Sequence, residues 1–125
     1  MYTVSVRRPF IAQHFLTVPD PGPEGELHSH RYEAAVELRG SDLDEHEYLV
    51  DIDAVEAALE GSVERYRDAT LNDLSEFEGR NPSAERLART LHDRFTDRID
   101  APGVDAVRMQ IREVAIASVS YDPAG

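Results

Sequence analysis

Three histidines stand where strand geometry could bring them onto one metal ion. In ELHSHRYEAAVEL, residues 26 to 38, every second residue from His28 reads His28, His30, Tyr32, Ala34, Val36, Leu38. The residues between are Ser29, Arg31, Glu33, Ala35 and Glu37. An apolar face alternating with a largely polar one at a period of two describes a half-buried strand. Both imidazoles then leave the same face, with roots about 7 Å apart, close enough to converge on one ion. Upstream, Phe10, Ala12, His14 and Leu16 share a face of YTVSVRRPFIAQHFL, and the loop PDPGPEGE joins the two segments. If they pair as a hairpin, His14 falls opposite the other two. Three neutral imidazoles with an open fourth position make a catalytic zinc arrangement. H-x-H alone is more often a pair of unrelated core or surface histidines, and His14 evens that balance. His46 and His92 sit among charged residues and read as surface or structural.

A carboxylate is the second anomaly. In the last extended segment, 104 to 121, Val107, Met109, Ile111 and Glu113 share one face, against Arg108, Gln110 and Arg112. A buried carboxylate needs a partner. The partner is either an internal arginine or a ligand that offers two parallel N–H groups, the match that suits a carboxylate's two oxygens.

The elements that must position these residues follow from periodicity. After the two strands (2–16 and about 28–39), Gly40-Ser41-Asp42 is a turn and HEYLV, 46–50, a short extended segment. Asp53 with Glu56 reads as a capping box ahead of a helix over about 53–66, lined by Val55, Leu59, Val63 and Tyr66. RDATLNDLSEFEGR is irregular. Asn81-Pro82 opens a second helix with proline at its first position, and Leu87, Leu91, Phe95 and Ile99 line its buried side. The final segment is long enough to bend or break into two strands. The order β, β, α, α, β makes one α+β domain over 1–125.

Composition narrows the function classes. The chain has no cysteine, which excludes disulfides, thiolate metal sites and cysteine nucleophiles. Its formal charge is −12, which disfavours a nucleic-acid partner. No apolar run is long enough to span a membrane, and the N-terminus lacks a signal-peptide pattern, so a soluble, cytoplasmic protein is expected. All 13 basic residues are arginine. Acidity without lysine reads as adaptation to salt, and a GC-rich genome accounts equally for the arginine bias.

Six segments, in order, carry a family resemblance: FIAQH, HSH, VDID, RDATLND, NPSAERLA and REV. Together, over residues 10 to about 121, the chain resembles the 6-pyruvoyl-tetrahydropterin synthase / 6-carboxytetrahydropterin synthase family. The resemblance implies a T-fold, an antiparallel four-stranded sheet with two helices on one face, whose subunits join into an oligomeric barrel, here expected as a homohexamer. It implies zinc held by His14, His28 and His30. It also implies a pterin between subunits, gripped by Glu113 with help from Glu85 or Ser83.

The chain also departs from the family pattern. The usual cysteine, four residues before the first H-x-H histidine, is Glu24. A branch of the family with glutamate there is associated with cleaving the side chain of dihydroneopterin triphosphate to 6-hydroxymethyl-dihydropterin. The usual Asp-His dyad reads Asp68-Ala69, Ser83 stands for the commoner threonine, and Ser29 for glycine. Glu24 is thus the expected general base, provided closure of its loop desolvates it. Asp68 is expected to orient a water or to serve only as a turn residue. Two functions follow: a zinc-dependent pterin lyase acting on dihydroneopterin triphosphate, or a non-catalytic pterin- or purine-binding relative that has lost its proton relay. In the first case the product could feed folate-type, tetrahydrobiopterin-type or queuosine-type synthesis.

Overall fold

A computed structural model describes residues 1–113 and 117–123. Two long strands, β1 (Tyr2–His14) and β2 (His28–Gly40), form an antiparallel hairpin without a bulge. Helices α1 (Ile52–Val63) and α2 (Ala84–Thr96) follow, then β3 (Ala106–Glu113) and β4 (Ala117–Tyr121). The sheet is antiparallel throughout, in the order β1-β2-β3-β4. This is the α+β T-fold architecture. The expected break in the last segment falls at 114–116, outside the described residues.

Alternation dictates which side of the sheet the helices cover. Phe10, Tyr32, Val36, Leu38, Met109 and Ile111 face one way and are buried, and α1 and α2 close over them with Val55, Leu59, Leu87, Leu91 and Phe95. Each such side chain contributes about 1.5–3 kcal/mol on leaving water. No helix among the described residues is long and apolar enough to cross a membrane.

Several local expectations are corrected. The first helix is capped by Asp51, whose carboxylate accepts from the Asp53 N–H at 2.9 Å, so it starts one residue before Asp53 and regular helix stops at Val63. Pro82 is not the first helical residue. Ser83 caps α2, its hydroxyl accepting from the Arg86 N–H at 3.1 Å, and Pro82 stands just outside. Residues 46–50 are not extended. The Asp44 carboxylate gathers the N–H groups of His46 and Tyr48 at 2.9 and 3.0 Å, and Glu47 takes a φ of 69°, which bends the chain.

The irregular stretch after α1 is fastened in two places. Asp68, with φ 59°, donates its N–H to the Ile11 carbonyl at 2.7 Å, and the Gln13 N–H donates to the Ala69 carbonyl at 2.8 Å. The strap therefore lies along the outer edge of β1. Further on, Glu76 receives Arg65 Nε and a terminal nitrogen, both at 2.7 Å, and the Tyr66 hydroxyl at 2.7 Å. The Arg65 bonds, with the Tyr66 hydroxyl adding to them, hold the Glu76 carboxyl down at about 2, against an ordinary 4.5. Because the folded value is the depressed one, this stabilisation is present above pH 4.5 and is lost as pH falls toward 2. Glu76→Gln should lower stability at neutral pH by on the order of 2 kcal/mol. In urea melts, the gap from wild type should narrow as pH drops below 4.5.

Candidate metal centre and the cleft beside it

The hairpin register places the histidines. His14 pairs with His28 and Ala12 with His30, so all three rings leave the same face at the same end of the sheet. Ring centroids are 4.7 to 5.0 Å apart, and one ligand nitrogen from each ring lies within 4.8 Å of the others. His14 is buried, and its Nδ1–H donates to the Pro82 carbonyl at 2.7 Å. His28 Nδ1–H donates to the Glu26 carbonyl at 2.8 Å. Each bond fixes a tautomer and leaves a lone pair on Nε2. Burial pushes the His14 imidazole below its ordinary value; the bond to Pro82 opposes this, and His28 and His30 push it lower still. His14 thus favours the neutral, ligating form.

His28 Nε2 and His30 Nε2 are 3.0 Å apart. Two bare ring nitrogens at that distance repel unless a proton or a cation lies between them. A tetrahedral ion with bonds of 2.0–2.1 Å would set its nitrogens about 3.3 Å apart, a small adjustment from what is seen. Three nitrogen donors and no thiolate suit a borderline-soft divalent ion with one position left open.

Beside the cluster runs a cleft of about 260 Å³, lined by His14, His30, Glu24, Ser83, Glu85 and Glu113 among others. The capped N-terminus of α2 brings Ser83 and Glu85, and the end of β3 brings Glu113. The turn Gly22–Gly25 brings Glu24. Glu113 is half-buried and pairs across the sheet with Tyr32. Among the described residues no ion pair reaches Glu113: Arg112 pairs with Glu33 and Arg108 with Asp122, on the opposite face. Burial, and then the Glu113 and Glu24 carboxylates, push the Tyr32 phenol above its ordinary range.

Seven of the eight expected site residues meet here: the histidine trio, Glu24, Glu113, Ser83 and Glu85. Asp68 does not. It is exposed and lies outside the cleft of its own chain. His46 is on the surface, but His92 is not: it is buried on α2 with its ring 5.0 Å from that of Tyr121. Its charged sequence neighbours, Asp93 and Arg94, concealed a helix position that faces the sheet. Asn81, Leu16 and the β4 residues Ala117 to Val119 also form the cleft wall, without being expected there. Leu16 continues the His14 alternation and was available as a signal. Ala117 and Val119 pair with Glu113 and Ile111 and share their odd-numbered parity, so alternation offered a signal there as well.

With this geometry in place, the family model described as 6-pyruvoyl tetrahydropterin synthase matches residues 3–124. The chain belongs to that family. Among solved structures, the family fold is shared with the Caenorhabditis elegans 6-pyruvoyl tetrahydropterin synthase at a TM-score of 0.80 and 18% identity, covering 98% of this chain and 96% of that one. A Plasmodium vivax 6-pyruvoyltetrahydropterin synthase, in a form with a catalytic glutamate changed to alanine, matches at 0.80 and 14% identity, covering 97% and 96%. An uncharacterized protein from Wolinella succinogenes matches at 0.75 and 13%, covering 98% of each chain. No curated protein matches the chain.

Proposed function

We propose that this family member is a zinc-dependent lyase, of the carbon–oxygen or aldol-type carbon–carbon kind, acting on 7,8-dihydroneopterin triphosphate or a related dihydropterin. The observation that carries the reading is that His14 and His30 of the three-imidazole cluster line one cleft with Glu113, a half-buried carboxylate that has no ion-pair partner among the described residues. His14, His28 and His30 would hold the zinc, which when bound supplies Lewis acidity toward the substrate's side-chain hydroxyls. Glu113 takes the ring N–H and exocyclic amino group of the pterin, and Ser83 and Glu85 support the same edge. Glu24 takes a proton from the substrate side chain as general base. That the P. vivax enzyme uses a glutamate as a catalytic residue supports glutamate in this role. Incubating the protein with dihydroneopterin triphosphate and identifying the products by mass spectrometry tests the activity, and recovery of unaltered substrate would overturn it.

A second reading has its own support. Ala69 stands where the relay histidine is expected, and Asp68 faces solvent. A binding protein for pterins or purines would keep the cleft and the trio and need neither. Tight binding of substrate without any product would favour it.

Glu113→Gln should leave zinc content unchanged and weaken pterin binding by about 1.5–3 kcal/mol, the size of a charged hydrogen bond. Fluorescence titration measures this, and equal affinities would remove Glu113 from the site. We further propose a homohexamer, in which Asp68 could reach only a neighbouring subunit's cleft. Sedimentation in high salt should show the assembly, since salt screens the self-repulsion of a −12 chain. A monomer under those conditions would count against it.

A further inference from the structure

The loop that carries Glu24 has no buried residue in its turn, Gly22–Gly25, so burial does not fix where it lies. Hydrogen bonds do. The Leu16 N–H donates to the Glu24 carbonyl at 2.9 Å. On either side of Leu16 the backbone is gripped by an asparagine from far along the chain. Asn72 Oδ1 accepts from the Phe15 N–H at 3.0 Å, and its Nδ2 donates to the Phe15 carbonyl at 2.9 Å, completing the two-bond pair a neighbouring strand would make. Asn81 Oδ1 accepts from the Thr17 N–H at 2.9 Å and the Thr17 hydroxyl at 3.4 Å. Within the loop, a Cβ on Gly25 would come 2.6 Å from Pro21 Cγ, so the turn is folded tightly on itself. Its far end is tied to His28 through the Glu26 carbonyl.

We propose that Asn72 and Asn81 are positioning residues that set Glu24 over the cleft by holding Phe15, Leu16 and Thr17. The inference rests on the role given to Glu24 above. It makes opposite demands on the two asparagines. Asn81 acts only as an acceptor in this brace, so Asn81→Asp keeps the function that Asn81→Ala removes. Asn72 both accepts and donates, so Asn72→Asp loses the donor and sets a carboxylate oxygen against the Phe15 carbonyl.

The test combines amide exchange by NMR with steady-state kinetics on dihydroneopterin triphosphate. In Asn81→Ala the Leu16 amide should exchange at least about tenfold faster, as a freed surface hydrogen bond does. The kcat should fall about 10- to 100-fold, the usual cost of a misplaced group, with KM and zinc content near wild type. Asn81→Asp should restore slow exchange and most of kcat, and Asn72→Asp should not. Unchanged Leu16 exchange in Asn81→Ala overturns the proposal. So does Asn81→Asp exchanging as fast as Asn81→Ala, since Asn81 would then act through its amide nitrogen. Should Asn72→Asp fail to fold, the Asn81 pair decides alone. Exchange is read without substrate, so a wild type that turns over no dihydropterin would overturn the functional reading and leave exchange to decide for or against the brace.

Discussion

His30→Ala is expected to take the purified protein from one zinc per chain to almost none. A three-nitrogen site has no spare donor. Among the described residues, the trio is the one group of histidines and carboxylates whose ligand atoms lie close enough together to share an ion. Losing His30 leaves His14 and His28, two neutral ligands, against water as competitor. The fold should survive, because His30 is only half-buried and the core runs through Tyr32, Val36 and Leu38. Elemental analysis and circular dichroism on both proteins check the two halves of the expectation. Equal zinc in the variant and the wild type would place the metal elsewhere or nowhere.

Glu24→Gln should cut turnover of dihydroneopterin triphosphate by about 10²- to 10⁴-fold, the range a positioned base contributes. Glutamine keeps the size and hydrogen-bonding reach of the side chain but cannot take the proton. Zinc content and pterin affinity should stay near wild type, because Glu24 is not a ligand and the pterin edge is assigned to Glu113. Kinetics beside a binding titration separate these. Unaltered turnover would take Glu24 out of the chemistry, and parallel loss of affinity would make it a binding residue.

The site could be read from the sequence where chemistry rode on alternation. A hairpin without a bulge keeps parity from Tyr2 to His14 and from His28 to Gly40, so one face assignment per strand sufficed to bring the histidines together. Glu113 was legible for the same reason. What failed were positions set by a side chain reaching along the backbone. Asp51 and Asp53 are both acceptable caps, and only the fold selects Asp51. Asp44 curls a segment whose apolar residues look extended. Pro82 read as a helix start, but its carbonyl instead receives His14, a contact that spans 68 residues. Asn72 and Asn81 gave no periodic signal, since their partners are backbone groups far away in sequence.

The outer edge of β1 has a further consequence. Ile11 and Gln13 turn their peptide groups away from β2 toward the strap at 68–70, so the odd-numbered residues of this strand are the ones that face outward. Pro9 falls on that parity and has no N–H to offer, a placement proline tolerates only along a sheet's border. A strand from another molecule laid on this border therefore finds donors at Thr3, Ser5 and Arg7 alone. Beyond Arg7 the ladder meets a gap at Pro9 and then a berth already taken by the chain's own strap. The border is fenced to a length of five residues, which is also the length of β4 at the opposite side of the sheet. Any strand that docks on this border is therefore held to a short ladder.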